Sequence, residues 1–461
     1  MLAIVVSRSD SASEHVGDHL LELVDWREER DTSRPDGDGG GTVYRRDGIE
    51  LRTFDAIHLD LEGVATAFGC VDDGPVREVD LLAFASRHAG ETGPLLTAHH
   101  TGNFGPAEFG GADGALARAC PNAQRVVFEA LEEFAPDGYE VGLECTHHGP
   151  SEVGVPSMFV EVGSDEPQWD DPAAARAVAR AILELEGVDA DAARENGARR
   201  HLVGFGGGHY VPRFERVVRE TDWAIGHVGA DWALDAMGDP GDNEAVIEAA
   251  FAESAAEYAL LEADRPGLRE TVERLGYRVV DETWVRETSH VPLGLVERLE
   301  AAITTVDDGL RFGDPASGYD GAFVVRPIGT GLLARASGID REATRETVAR
   351  TALAFDTDQN GTEVVGPLAL ADGDDRERIV DGLADVLGQS YDSVEREGET
   401  LVARETAFDP ALARERGVPE GPKFGQLSAG SAVEIDGVEI TPDEVTRQRI
   451  DEFPVGNRRD R

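Results

Sequence analysis

Residues 2–6 are an unbroken apolar run, and apolar positions recur at helical spacing from Glu14 to Val24. A short buried strand feeding an amphipathic helix is how an α/β arrangement begins. A glycine-rich surface loop at 34–41 leads into alternating residues over 42–51, where Asp47-Gly48 predicts a hairpin. Further strands are predicted at 95–98, 139–144, 159–163, 202–205 and 223–228. Helices are predicted at 122–135, 172–186, 243–261 and 293–303. Asn122 and Asp171 are candidate N-caps, Pro172 suits a first helical turn, and Val127, Ala130, Leu131 and Phe134 make one apolar stripe. This order predicts an α/β fold, specifically a three-layer α/β/α domain.

The pattern changes at 307–317, which is rich in Gly, Asp and Pro. Beyond it, helices are expected at 341–354 and 375–387, and a second Asp-Gly hairpin at 432–441. The chain therefore divides into 1–306 and a C-terminal α+β extension, 307–461. Asp356-Thr-Asp358-Gln-Asn360-Gly361 imitates a calcium loop, but its twelfth position is Pro367 in place of the bidentate glutamate. It reads as an acidic turn.

The 461 residues carry 43 Lys+Arg against 91 Asp+Glu, a net charge of −48, with 41% hydrophobic residues. So much apolar residue excludes disorder, and the length allows more than one domain. Lys423 is the only lysine. Carboxylate excess with arginine in place of lysine resembles the proteins of salt-loving archaea, where strong screening removes most self-repulsion. At molar salt the acidity no longer excludes a nucleic-acid partner. Cys70, Cys120 and Cys145 form no CxxC pair and fit a reducing compartment. Neither a targeting segment nor a membrane span is apparent, so a cytoplasmic, soluble monomer is expected.

Six histidines fall at or just after the carboxyl ends of predicted strands: His99, His100, His147, His148, His209 and His227. Open α/β sheets place ligands at such ends, so these segments can converge on one pocket. Imidazoles with carboxylates suit zinc, which at a catalytic site keeps a position for water and lowers its pKa. The metal candidates are His99, His147 and His209, and His148 is open to a ligand role as well. Glu144 and His148 are the candidate catalytic groups, with Glu144 also open to a ligand or supporting role. A single histidine is more often a hydrogen-bonded structural residue. His-His pairs beside glycine turns, occurring twice, shift that balance. His15, His19, His58 and His290 read as structural, whereas His100, His201 and His227 stay open. Gly206-Gly207-Gly208 can supply oxyanion-binding amides or simply a close turn below His209. Hydroxyls near histidines (Ser86 with His88, Thr97 with His99) and the Cys145 thiol permit a nucleophile mechanism, but proximity in sequence is weak support for a triad.

Taken in order, Phe84-Ala-Ser-Arg-His88, Leu96-Thr-Ala-His99-His-Thr-Gly-Asn103, Glu144-Cys-Thr-His147-His148-Gly-Pro150, Met158-Phe-Val-Glu-Val-Gly-Ser164 and Gly204-Phe-Gly-Gly-Gly-His209-Tyr-Val-Pro212 resemble the archaeal and plant type of D-aminoacyl-tRNA deacylase. The resemblance covers roughly 1–300, and the remainder resembles the extended haloarchaeal members. It implies a phosphorylase/hydrolase-like fold, two zinc ions per subunit, and hydrolysis of the ester joining a D-amino acid to tRNA, which prevents misincorporation. Arg87, Asn103, Gly207 and Gly208 are then expected to bind substrate. Arg87, Arg199, Arg200, Arg213, Arg216 and Arg219 can meet acceptor-stem phosphates or pair with neighbouring carboxylates. The alternatives are another metal-dependent hydrolase of this fold, such as an aminopeptidase-like enzyme, and a non-catalytic RNA-binding module.

Overall fold

The computed structural model describes residues 1–69 and 77–455. Cys70 and the basic tail at Arg458, Arg459 and Arg461 lie outside the described residues. The chain divides into two compact units, Met1–Ser289 and His290–Arg461.

The first unit is built on an eight-stranded sheet: β1 (Leu2–Ser7), β2 (Arg27–Asp31), β3 (Gly41–Arg46), β4 (Ile49–Phe54), β5 (Leu81–Arg87), β6 (Leu95–His99), β7 (Glu140–Leu143) and β8 (Ser157–Gly163). Their spatial order is β2-β3-β4-β1-β5-β8-β6-β7. β4, β1, β5 and β8 run parallel, and β1 and β8 are buried along their whole length, as central strands covered on both faces must be. The Asp47-Gly48 turn closes the antiparallel β3-β4 hairpin, with Gly48 at φ 77°. A second, all-parallel sheet contains β9 (His201–Phe205), β10 (Ala224–Gly229), β11 (Tyr258–Leu261) and β12 (Arg278–Val280) in the order β10-β9-β11-β12.

Among the described residues, seven helices serve these sheets up to residue 254: α1 (Ser11–Leu23), α2 (Pro121–Phe134), α3 (Glu166–Trp169), α4 (Pro172–Leu183), α5 (Pro212–Glu220), α6 (Asp231–Met237) and α7 (Glu244–Ser254). Asp10 caps α1 by accepting from the amides of Ala12 and Ser13, and Asp171 caps α4 by accepting from Ala173. On α2 the cap position falls to Cys120, not Asn122, because Pro121 takes the first turn. The predicted helix 243–261 is two elements. α7 stops where Ala255 turns left-handed at φ 45°, and Tyr258–Leu261 forms a buried strand.

Alternation along the strands explains how the large sheet is covered. Gly17 of α1 rests against Val6, whereas Ala3, Val5, Leu82, Phe84 and Phe159 point the other way, into a cluster with Val64, Ala67 and Phe68 from short one-turn segments. One side thus carries long helices and the other carries short turns and loops, leaving room there for a cavity.

The second unit combines helices with antiparallel sheets. Leu310–Phe312, Val324–Arg326, Ala354–Asp358 and Glu363–Leu370 form a four-stranded sheet. Helices Thr330–Ile339 and Asp375–Leu387 bury Leu332, Leu333, Ile379 and Leu383 in one core with Phe355 and Leu368. The expected hairpin forms at 433–440, with Asp436 and Gly437 both at positive φ, as a tight Asp-Gly turn requires.

Candidate metal and active site

Three stretches of backbone bring the site together. β6 runs antiparallel to β8, setting His99 opposite Phe159 and placing Glu161 two residues along on the same face. β5 delivers Arg87 and His88 from the other flank of β8. After β7, the segment 143–146 leaves the first sheet and bonds to the second: Cys145 N–H donates to His209 O (2.8 Å), Val211 N–H to Leu143 O (3.2 Å) and Thr146 N–H to Val228 O (2.8 Å). Glu144, His147, His148 and His209 are thereby fixed around one point.

Their rings are in mutual contact. The His147 centroid lies 4.3 Å from that of His99, 4.4 Å from His148 and 4.6 Å from His209. Three imidazoles are anchored alike. Nδ1 lies 3.1 Å from His100 O in His99, 2.8 Å from Cys145 O in His147, and 2.7 Å from Gly149 O in His148. Donation from Nδ1 to a carbonyl leaves Nε2 as a bare lone pair, the form in which histidine binds metal. These three make one potential ligand triad, and His88, Glu144 and His209 make another.

Glu144 is the hub of the second triad. Its Oε2 is 2.7 Å from His209 Nε2 and 3.6 Å from His147 Nε2, and its Oε1 is 3.1 Å from His88 Nδ1. Burial pushes this carboxyl up, but His209, His88 and the neighbouring imidazoles outweigh burial and hold it well below the ordinary range. Burial pushes His88 and His99 down, yet the carboxylates of Glu144 and Glu161 carry both above the usual histidine value. Burial, reinforced by His99, keeps His148 neutral, down to about 3, and depresses His147. Glu161 is raised by burial. The His99 Nε2 and Glu144 Oε1 atoms are buried without a well-formed hydrogen bond. Orphaned, convergent donor atoms of this kind fit a bound cation, and the nitrogen and oxygen donor set suits zinc.

The cluster opens into a cavity of about 740 Å³ lined by His88, His147, His148, His209 and Glu161 among others. Arg87 lines it too, with its guanidinium 4.9 Å from the Trp169 ring centroid. Asn103 also borders the cavity, but its side-chain amide donates to Gly110 O (3.0 Å), bracing its own loop. Gly207 and Gly208 are not among the lining residues; a side chain at Gly207 would collide with the Glu262 carboxylate. Of the open histidines, three are structural. His100 is bonded to Gly226 O and Cys120 N, His201 to Ser254 O and Ala192 N, and His227 to Ala117 O and Thr146 Oγ1. The Cys145 thiol is pushed up to about 12, mainly by burial, which disfavours a thiolate nucleophile.

Sequence reasoning weighed His88 only as a partner of Ser86 and did not single out Glu161 as a site residue. Glu161 had a signal: it is the lone carboxylate in the apolar strand 157–163, where burial demands a partner. His88 directly follows the strand Leu81–Arg87, much as His99 ends Leu95–His99, but has no second histidine beside it.

Comparison with known proteins bears on this geometry. Residues 76–280 match a family described as D-aminoacyl-tRNA deacylase. A protein of that description from Haloarcula marismortui is 58% identical over 98% of this chain and 99% of its own length. One from Halorubrum lacusprofundi is 54% identical over 99% and 97%, and one from Methanoregula boonei 32% identical over 96% of each. All three alignments therefore include the C-terminal extension. A solved structure described as a conserved protein of unknown function superposes with a TM-score of 0.53 at 27% identity, covering 63% of this chain and 98% of that one. Among the described residues, no helix is long and apolar enough to cross a membrane.

Proposed function

This chain belongs to the D-aminoacyl-tRNA deacylase family and carries that activity, and from this premise we propose that it is a zinc-dependent hydrolase working with two ions per subunit. The observation that carries the proposal is the shared anchoring of His99, His147 and His148, each with Nδ1 at a carbonyl and each offering a ring nitrogen within 4.8 Å of the others. These three would hold one ion, and His88, Glu144 and His209 would hold the second. His148, open from sequence to a catalytic or a ligand role, joins the metal-holding group because its Nδ1 is engaged by Gly149. When bound there, zinc would supply Lewis acidity for the ester carbonyl and for water.

The protein's own groups do the rest. Glu161, a buried carboxylate on the cavity wall, is placed to take a proton from the attacking water, and Glu144 links the two triads electrostatically. Arg87 meets a phosphate near the tRNA 3′ end, whereas Asn103 shapes the cavity through its loop. The ester is labile, so modest activation suffices. Selection against L-amino acids arises by steric exclusion of their side chain from the walled cavity. The result is removal of D-amino acids before they reach protein synthesis.

The three-layer, phosphorylase/hydrolase-like arrangement is assigned to residues 1–306, and 307–461 are assigned a supporting role outside the chemistry. Every ligand comes from one chain, so a monomer suffices. The test is hydrolysis of D- and L-tyrosyl-tRNA in concentrated salt, with and without a chelator. Cleavage of only the D ester, lost on chelation and restored by zinc, is expected; equal cleavage of both enantiomers or indifference to verified metal loss would defeat the reading.

A further inference from the structure

Among the described residues, four large apolar side chains are exposed: Phe109 (66%), Trp232 (52%), Val438 and Ile450. Single exposed apolar residues are ordinary. What distinguishes Phe109 and Trp232 is that both are aromatic and both line the cavity that holds the histidine cluster.

Each is also held in place from below. Phe109 sits in a loop clamped from two sides: its carbonyl accepts from Gly149 N–H (2.9 Å), the residue after His148, and the Asn103 amide donates to Gly110 O (3.0 Å). Gly149 has to be glycine, because a Cβ there would meet the backbone of Gly110 and Gly111. Trp232 stands in the first turn of α6, with its side chain beside the Cys145 thiol that neighbours Glu144. Both rings are therefore tied to the ligand-bearing segment 144–149 while exposing much of their surface. Exposing aromatic faces to water lacks a purpose in folding; it suits a planar apolar ligand that arrives from solution.

The chemistry of the substrate says what that ligand is. In aminoacyl-tRNA the ester and the terminal adenine are carried by one ribose, so with the carbonyl at the histidine cluster the adenine lies one sugar width away, towards the cavity mouth. We propose that Phe109 and Trp232 are the stacking platform for the terminal adenine of the tRNA. This deepens the deacylase reading and rests on it. Stacking needs no base-edge hydrogen bonds, and it is indifferent to the amino acid, as an enzyme acting on many D-aminoacyl esters requires. It also provides affinity that does not depend on charge, which a chain of net charge −48 needs for a polyanion.

Phe109→Ala and Trp232→Ala, with Phe109→Tyr and Trp232→Phe as conservative partners, are to be assayed on two substrates. One is D-tyrosyl-tRNA; the other is the same tRNA with an abasic terminal ribose bearing the D-tyrosyl ester. The alanine variants should lose about 10- to 100-fold in kcat/KM on the first and match wild type on the second, with the aromatic replacements restoring activity. Equal losses on both substrates, or no loss on either, would overturn the proposal. Adenosine should also quench the fluorescence of Trp232 in the wild-type protein, and unchanged quenching in Trp232→Phe would count against it. If wild type cleaved neither substrate, the deacylase reading would fail by itself, and this quenching would still decide whether the base is bound.

Discussion

Glu144 Oε2 and His209 Nε2 lie 2.7 Å apart, although 65 residues separate them in the chain. The pair is made by a short antiparallel bridge: Leu143 O and Cys145 N–H engage Val211 N–H and His209 O on either side. A side-chain contact set by backbone bonding is pre-organised, so the hub does not wait for substrate or metal to form. Glu144→Gln keeps the volume and removes the charge that His88, His147 and His209 share. A loss of at least about 10- to 100-fold in kcat/KM is expected, with reduced zinc content in the purified protein and native circular dichroism. Full activity at wild-type zinc content would refute the role assigned to this carboxylate.

His227 makes the contrasting case. It is fully buried, and its two nitrogens are used up by Ala117 O at 2.8 Å and Thr146 Oγ1 at 3.0 Å. Burial holds it neutral, down to about 4. His227→Ala leaves both partners unsatisfied, so it should destabilise the protein by about 1–3 kcal/mol per orphaned group. The activity of the folded fraction should hardly change. Denaturant titration in concentrated salt, paired with a kcat measurement, separates this from a catalytic role.

The difference between these two histidines is what the sequence could not express. His227 and His209 both follow apolar runs, but only the fold shows that one ring is enclosed by β10 and the 117 segment while the other borders a cavity. Strands 95–98 and 159–163 were legible because short, largely apolar runs bounded by turn residues have few other uses. The antiparallel pairing of β6 with β8, which sets Glu161 beside His99, depends on long-range topology, and no local pattern encodes it. Residues 258–261 were misread as helix because a short apolar run has no distinguishing period, and the break at Ala255 carries no glycine or proline to mark it.

Asn103 provides a test of action at one remove. Its amide bonds to Gly110 O and, more weakly, to Ala112 O at 3.4 Å, on the far side of Phe109. Asn103→Ala should loosen that loop and reproduce the substrate dependence of Phe109→Ala in weaker form: a severalfold loss on adenine-bearing substrate and none on the abasic one. An equal loss on both would mean that Asn103 touches the ester region directly.

Glu282 links acidity to stability. Hydrogen bonds from Arg216 (2.7 and 3.0 Å), together with those from Arg286, outweigh its partial burial and bring its carboxyl down to about 2. A folded-state value below the unfolded one contributes stability above the unfolded carboxylate pKa, and that contribution is lost as pH falls towards 2. Glu282→Gln should therefore lower the thermal midpoint near neutrality. The gap from wild type should narrow as the pH is taken from about 5 to 3. A gap independent of pH would show that packing, not charge, connects α5 to the 282–287 helix.

The arginine pairs turn the −48 charge into a prediction about salt. Arg200 is engaged with Glu195 and Asp222, Arg213 and Arg216 with Glu282, and Arg219 with Glu132. Arginines already neutralised by carboxylates release few counterions when tRNA arrives, so the steep salt dependence usual for nucleic-acid binding should be missing here. Arg87 differs: among the described residues it has no carboxylate within ion-pair distance, and it lies on the cavity wall over Trp169. A plot of log KM for tRNA against log salt should be shallow, and Arg87→Gln should flatten it by about 0.7, the increment for one phosphate on a single strand. Dilution from molar salt to about 0.1 M lengthens the screening distance to about 10 Å, so carboxylates across the surface begin to repel one another. The thermal midpoint should fall over that range while KM changes little, in contrast to an ordinary basic RNA-binding protein, whose affinity improves steeply as salt is removed.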